Sequence, residues 1–95
     1  MTDEVSVEEI IGWERLPLGS DGYFIAPDAP ARIRAEVDDL LTWLNGQNFD
    51  WLIEPDEGRV HLEIWDARLS EPTKRYVEPT AREALVAAVR EVGQS

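Results

Sequence analysis

NFDWLIEPDEGRVHLEIWDA, residues 48–67, decides how this chain folds. Apolar and polar side chains alternate along both halves, the period of strands with one face on a core. Phe49, Trp51 and Ile53 share one face of the first arm, and Asp50, Leu52 and Glu54 share the other. On the second arm Val60, Leu62 and Ile64 extend the apolar face, with His61, Glu63 and Trp65 opposite. Between the arms, Pro55 suits a type I bend and Gly58 is free to take positive φ. The stretch is therefore expected to be a β-hairpin. Burying each apolar-face side chain contributes roughly 1.5–3 kcal/mol before chain entropy is subtracted. A slip of one residue would turn them all to water, so the same pattern fixes the register.

Working outward, two stretches carry helical period. DAPARIRAEVDDLLTWLNG (28–46) offers Asp28 as N-cap, Pro30 in the first turn and Asn45-Gly46 as the stop. Ile33, Val37, Leu40, Leu41 and Leu44 form its apolar stripe, with Trp43 on the flank. TAREALVAAVREVG (80–93) opens on a Thr80–Glu83 capping box and ends at Gly93. Its stripe is Ala81, Ala84, Leu85, Ala88, Val89 and Val92, small enough for close packing. VSVEE (5–9) predicts a short helix capped by Ser6 and Glu9, with a Val5–Ile10 staple, cut off by Gly12. A turn-rich segment, 16–27, holds a short edge strand at Tyr23–Ala26, and KRYV (74–77) could add another.

The expected fold class is α+β in a single domain, 1–95: a small antiparallel sheet, the central hairpin, packed by two long helices plus a short N-terminal helix in an αβαββα-like sandwich. The face bearing His61, Glu63 and Trp65 has two readings. Either the N-terminal helix covers it and Trp65 joins the core, or it stays open as a surface.

Composition narrows function. Twenty acids against nine bases give a net charge of −11, which disfavours direct contact with nucleic acid or anionic membrane. Such acidity suits solubility, or a surface aimed at a basic protein. The chain has no cysteine, so disulfides and thiolate chemistry are excluded. No apolar run approaches the ~20 residues that span a bilayer, and MTDEVSVEEI has no signal-peptide character. A cytoplasmic protein is expected.

Few residues suggest chemistry. His61 is the only histidine, and one imidazole without a partner nucleophile or Gly-rich loop is not a catalytic constellation. No catalytic residue, cofactor or metal site is assigned. The carboxylates lack EF-hand spacing. They cluster instead as Glu36, Asp38 and Asp39 in the first long helix, and as Asp50, Glu54, Asp56 and Glu57 along the hairpin and its tip. Further acids, Asp3, Glu4, Glu8 and Glu9, crowd the N-terminus. With Glu63 and the aromatic Trp65, the helix and hairpin clusters would offer a basic partner a negative, nucleic-acid-like surface with an aromatic anchor. Trp13, Trp43 and Trp65 could alternatively stack a nucleotide-like small ligand. Lys74 and Arg75, beside Tyr76, form a basic island that either balances Glu71 and Glu78 or meets the acidic face of a second copy in a homodimer.

IIGW (10–13), the helix near 29–45, FDWLIEPDEGRVHLEIW (49–65) and TAREALVAAV (80–89) follow one another as in the phage ABA sandwich domain family, which the chain resembles over nearly its whole length. Where members of that family often carry a Tyr-Ser/Thr-Thr-Asp turn before the long helix, this chain has FIAPDAPAR (24–32). The resemblance implies a phage-type protein, layered α/β packing and life in a bacterial host's cytoplasm. The family has no established activity, so no site residue is carried over. Together these readings lead to the expectation of a non-catalytic inhibitor of a basic bacterial protein, such as a CRISPR effector or defence nuclease.

Overall fold

The computed structural model describes residues 5–16, 23–28, 30–68 and 73–94. Its elements run α1 (Val7–Ile10), β1 (Glu14–Arg15), β2 (Phe24–Ile25), β3 (Ala31–Arg32), α2 (Val37–Gly46), β4 (Phe49–Asp56), β5 (Arg59–Asp66), β6 (Lys74–Glu78) and α3 (Ala81–Gln94). The class is α+β, with three helices and two antiparallel three-stranded sheets, β1-β2-β3 and β4-β5-β6, among the described residues. The expected αβαββα order thus gains β1, β3 and β6.

The hairpin forms in the register the alternation requires, with Trp51 opposite Ile64 and Ile53 opposite Leu62. Its turn differs from the expected type I bend. Pro55 lies inside β4, opposite Val60, and the loop is Glu57-Gly58, both at positive φ (47° and 83°). A two-residue loop of that hand matches the twist of the strands, as a type I bend would not. Pro55 is tolerated because β4 is an edge strand, where a missing N–H costs no ladder bond. On the other side of β5, the weakly signalled KRYV segment becomes β6, with Tyr76 opposite Leu62.

The core lies between this sheet and the helices. Leu62 and Ile64 of the central strand are fully buried, as are Leu40, Leu44, Ala84, Leu85, Ala88 and Val89 of α2 and α3. Phe49 and Ile53 pack against this cluster from the edge strand. Trp51, expected in the core, is 36% exposed, and its Nε1–H donates to Asn45 Oδ1 at 3.2 Å. An edge strand leaves part of a large ring with no neighbour on one side.

The first long helix begins later than its periodicity suggests. Asp28 and residues 30–36 are not its first turns: Ala31 and Arg32 pair with Ile25 and Phe24. Ala35 is fully buried, and its carbonyl accepts the Arg82 Nε–H at 2.8 Å. Ile33, counted in the stripe, is 59% exposed. The N-cap is Glu36, whose backbone N–H donates to Asp39 Oδ2 at 2.8 Å, a tie that competes with Asp28 as a starting point. Tertiary hydrogen bonds to Ala35 and β3 outweigh a few turns of marginal helix.

The helix ends bring two more corrections. Ser6 is the N-cap of α1 but makes no side-chain capping bond; its Oγ and Glu9 Oε1 instead accept Arg15 Nη2–H at 3.3 and 2.7 Å. Gly93 does not stop α3, which continues through Gln94. A Cβ at Gly93 would collide with Ile10 Cγ2, so glycine there lets α1 lie against α3. Thr80 does cap α3, its Oγ1 accepting the Glu83 N–H at 3.1 Å.

Because α1 packs on α3 and on β1, it does not cover the far face of the large sheet. Of the two readings of that face, cover by the N-terminal helix is excluded, and among the described residues the face is open. The described helices lie on one side only. Trp13 closes the core on that side, 7% exposed in one cluster with Phe24 and Ala26.

Candidate interaction surface

The open face is set by strand alternation. Its middle row is His61, Glu63 and Trp65 on β5. Glu54, Leu52 and Asp50 of β4 stand opposite them in that order, while Val77 and Arg75 of β6 flank His61 and Glu63. Glu63 is the electrostatic centre: Oε1 lies 3.6 Å from Arg75 Nε, and Oε2 lies 3.6 Å from His61 Nε2. Leu52 and Val77, both 43% exposed, give apolar area on either side, and Trp65 is half-buried at the end of the row.

His61 Nε2 is buried yet has no hydrogen-bond partner among the described residues. The residues that β4, β5 and β6 direct to this face include no Ser, Thr, Cys or Lys. The groups around the imidazole are carboxylates, a guanidinium and aliphatic side chains. That set supports salt-linked and apolar contact.

The predicted acidic residues divide into sets. Asp50, Glu54 and Asp56 line the outer strand of the open face, and Glu57 extends the row at the hairpin tip; all are exposed. None of these forms an ion pair with a described residue. Alternate residues on a strand stand about 6.6–6.8 Å apart, so Glu54 and Asp56 are near neighbours in a line of charge. Glu63 and Trp65 adjoin this row, with Glu63 partly neutralised by Arg75.

Glu36, Asp38 and Asp39 lie elsewhere. They begin α2, which packs on the covered side, so the thickness of the sheet separates them from the β4 row. Arg32 Nη1 binds both Asp39 carboxylate oxygens at 3.0 Å, and Arg34 Nε donates to Glu36 Oε1 at 3.1 Å. These carboxylates cap the helix and hold the arginines of the preceding bend; Asp38 alone of the three is exposed without such a partner among the described residues. Of the N-terminal acids, Asp3 and Glu4 lie outside the described residues. Glu8 is 5% exposed beside Arg82, and Glu9 binds Arg15.

The tryptophans also divide. Trp13 and Trp43 line one pocket of about 330 Å³, together with Asp28, Arg32, Asp39 and Thr42. Trp65 is on the other side of the large sheet and does not contribute. Arg32 is the pocket's cation, and Asp39 already engages it.

One linked group went unread in the sequence. Tyr76, on the covered side of β6, donates its hydroxyl to Glu91 Oε2 at 2.6 Å, and Lys74 Nζ lies 3.5 Å from Glu91 Oε1. Partial burial, reinforced by the hydrogen bond to Glu91 and its charge, raises the Tyr76 pKa well above the ordinary phenol value. The bond from Tyr76 lowers that of Glu91, with Lys74 helping and desolvation opposing. Tyr76 and Glu91 are far apart in sequence, so only the packing of α3 on β6 brings them together. The basic island is thus balanced by Glu91 and Glu63; Glu71 lies outside the described residues.

Among the described residues, no three His, Cys, Asp or Glu side chains gather as a metal site, and no helix is long and apolar enough to cross a membrane. No known protein family matches this chain, nor does any curated protein or any solved structure.

Proposed function

We propose that this chain is a non-catalytic, phage-type binding protein that occupies the basic, nucleic-acid-handling surface of a bacterial protein, such as a defence nuclease or CRISPR effector, in the host cytoplasm. The observation that carries this reading is the row Asp50, Glu54, Asp56 and Glu57, exposed on one rigid edge and without cationic partners among the described residues. A surface built to meet phosphates with Lys and Arg would be drawn to such a row by the same Coulomb attraction. Leu52 and Trp65 beside it supply apolar contact, which gives affinity that charge alone lacks. Glu36 and Asp39 do structural work first, so Asp38 is the member of the helix cluster that adds to the field. The net charge of −11 steers the approach over longer range.

The test compares three forms of the immobilised protein in bacterial lysate: the unaltered chain, the quadruple variant Asp50→Asn/Glu54→Gln/Asp56→Asn/Glu57→Gln, and the control Glu14→Gln, an exposed acid of β1 outside the row. The first and the control should retain a basic protein that ~0.5 M salt releases, since screening shortens to a few ångströms at such strength. The quadruple variant should not retain it. Retention that ignores both salt and the quadruple change would refute the proposal.

A second reading draws on the pocket shared by Trp13 and Trp43. Its volume falls at the lower end of the range, about 300–1,000 Å³, of small-molecule sites. Stacking of a nucleobase-like ring is the chemistry it offers, while the Arg32–Asp39 pair leaves little for a phosphate. Quenching of tryptophan fluorescence by uncharged nucleosides, abolished by Trp43→Ala, would favour this reading over the first.

A further inference from the structure

We propose that β6 is a homodimerisation edge, pairing antiparallel with β6 of a second copy so that Tyr76 stands opposite Tyr76. The inference is independent of the proposed function, since it uses neither the acidic row nor a foreign partner.

The backbone provides the opportunity. β6 is the last strand in the order β4-β5-β6, and among the described residues no strand pairs with its outer side. In the antiparallel ladder to β5, the hairpin fixes which residues bond which way. Asp56 and Arg59 close the two-residue turn as a hydrogen-bonded pair, so His61 and Glu63 bond toward β4 while Val60, Leu62 and Ile64 bond toward β6. Their partners Glu78, Tyr76 and Lys74 therefore bond inward. Arg75 and Val77, both exposed, direct their N–H and C=O groups outward.

The side chains select the register. With Tyr76 at the centre, each Arg75 meets Val77 of the second copy and exchanges both N–H···O=C bonds with it. Lys74 then stands opposite Glu78, at both ends of the new ladder, in non-hydrogen-bonded pairs where side chains approach most closely. A shift in one direction sets Arg75 against Arg75. A shift in the other sets Arg75 against Pro79, which has no N–H to give. Only the central register satisfies the outward groups and pairs opposite charges.

The opposite edge lacks these properties. In the equivalent central register of β4, around Leu52, Asp50 would face Glu54 at both ends, and Pro55 removes a donor. Like charges directly opposite are destabilising. The hairpin edge therefore resists self-pairing, and the β6 edge favours it. The resulting sheet would run continuously from β4 through both β6 strands to β4 of the second copy, doubling the open face.

Each copy carries a charge of −11, so the association is measured near 0.15 M salt, where the Debye length is about 8 Å and distant repulsion is screened. Sedimentation equilibrium of the full chain should show a monomer–dimer equilibrium. Amide hydrogen exchange at Arg75 and Val77 should slow as concentration rises. Lys74→Glu alone and Glu78→Lys alone each place like charges at both ends of the ladder and should weaken dimerisation roughly tenfold or more. An equimolar mixture of the two variants should restore it as a heterodimer, because every Glu then faces a Lys. Circular dichroism verifies that each variant is folded. A chain that stays monomeric up to ~1 mM overturns the proposal, as does a dimer that ignores both reversals or a mixture that fails to recover.

Discussion

Arg82→Met is the change that most directly tests how the described parts are held together. Arg82 reaches from α3 to two distant segments. Its Nε–H donates to the Ala35 carbonyl at 2.8 Å, and its Nη2 lies 3.5 Å from Glu8 Oε1. The side chains are 24% and 7% exposed, so the pair is largely shielded from water. Methionine keeps much of the stem's packing and removes both polar contacts. The Ala35 carbonyl loses a charged donor, a bond worth about 1.5–3 kcal/mol. Glu8 loses its cation while buried, and breaking one side of a buried pair costs about 3–5 kcal/mol. The Nη2–Glu8 contact is at the long limit of a hydrogen bond and Arg82 is partly wetted, so the lower end of that range applies. A loss of at least about 3 kcal/mol is therefore expected, or roughly 12 °C or more in Tm for a domain of this size. Urea unfolding followed by tryptophan fluorescence gives the stability change. Glu8→Gln and the double variant complete a cycle whose coupling energy should be at least ~1 kcal/mol. A loss below ~1 kcal/mol with no coupling would refute the account of how α2 acquires its starting point and how α1 is held.

Other predictions rest on single contacts. Removing the hydroxyl in Tyr76→Phe should return the Glu91 pKa toward the ordinary carboxylate range. Because folding lowers the Glu91 pKa, its contribution is present above the unfolded value, near 4.3, and disappears as pH falls through the folded value. The stability gap between the unaltered chain and Tyr76→Phe should therefore narrow below about pH 4. The raised Tyr76 pKa acts in the other direction: its contribution is complete below about pH 10 and declines as pH climbs toward the folded value. A gap constant from pH 3 to 10 would argue against the linkage. Gly93→Ala should destabilise despite alanine's helix preference, because the new Cβ meets Ile10 and displaces α1. Gly46→Ala, with no atom within 4 Å of the added carbon, should instead gain up to about 1 kcal/mol. Thermal unfolding of both variants measures the opposite signs.

The part of the fold that was legible rests on local period. The hairpin, its register, the stripes of α2 and α3 and the Thr80 cap all follow from alternation or helical spacing over adjacent residues. A side chain's face is set by its own strand or helix, so a single sequence suffices to read it. The open face was legible for the same reason: His61, Glu63 and Trp65 had to share it with Asp50, Leu52 and Glu54. Its acidic row could be named residue by residue. Whether it was covered could not be read, because that depends on where α1 docks.

The sequence by itself determined a small acidic α+β chain, a hairpin with one apolar face and two amphipathic helices to meet it. Tertiary structure alone decided that 30–36 would pair as strand and bend rather than begin α2. There, burial of Ala35, the Arg82 bond and pairing to β2 compete with a helix that is marginal on its own, and nothing within that stretch announces a partner nearly fifty positions away. The same holds for Glu36 and Asp39, which look like surface charge in the sequence and serve as cap and clamp in the structure, and for Gly93, whose role is room for Ile10. Periodicity records what a residue does for its own element. Long-range contacts, made only when elements meet, decide where that element begins, which of its charges remain free and which face is left to water.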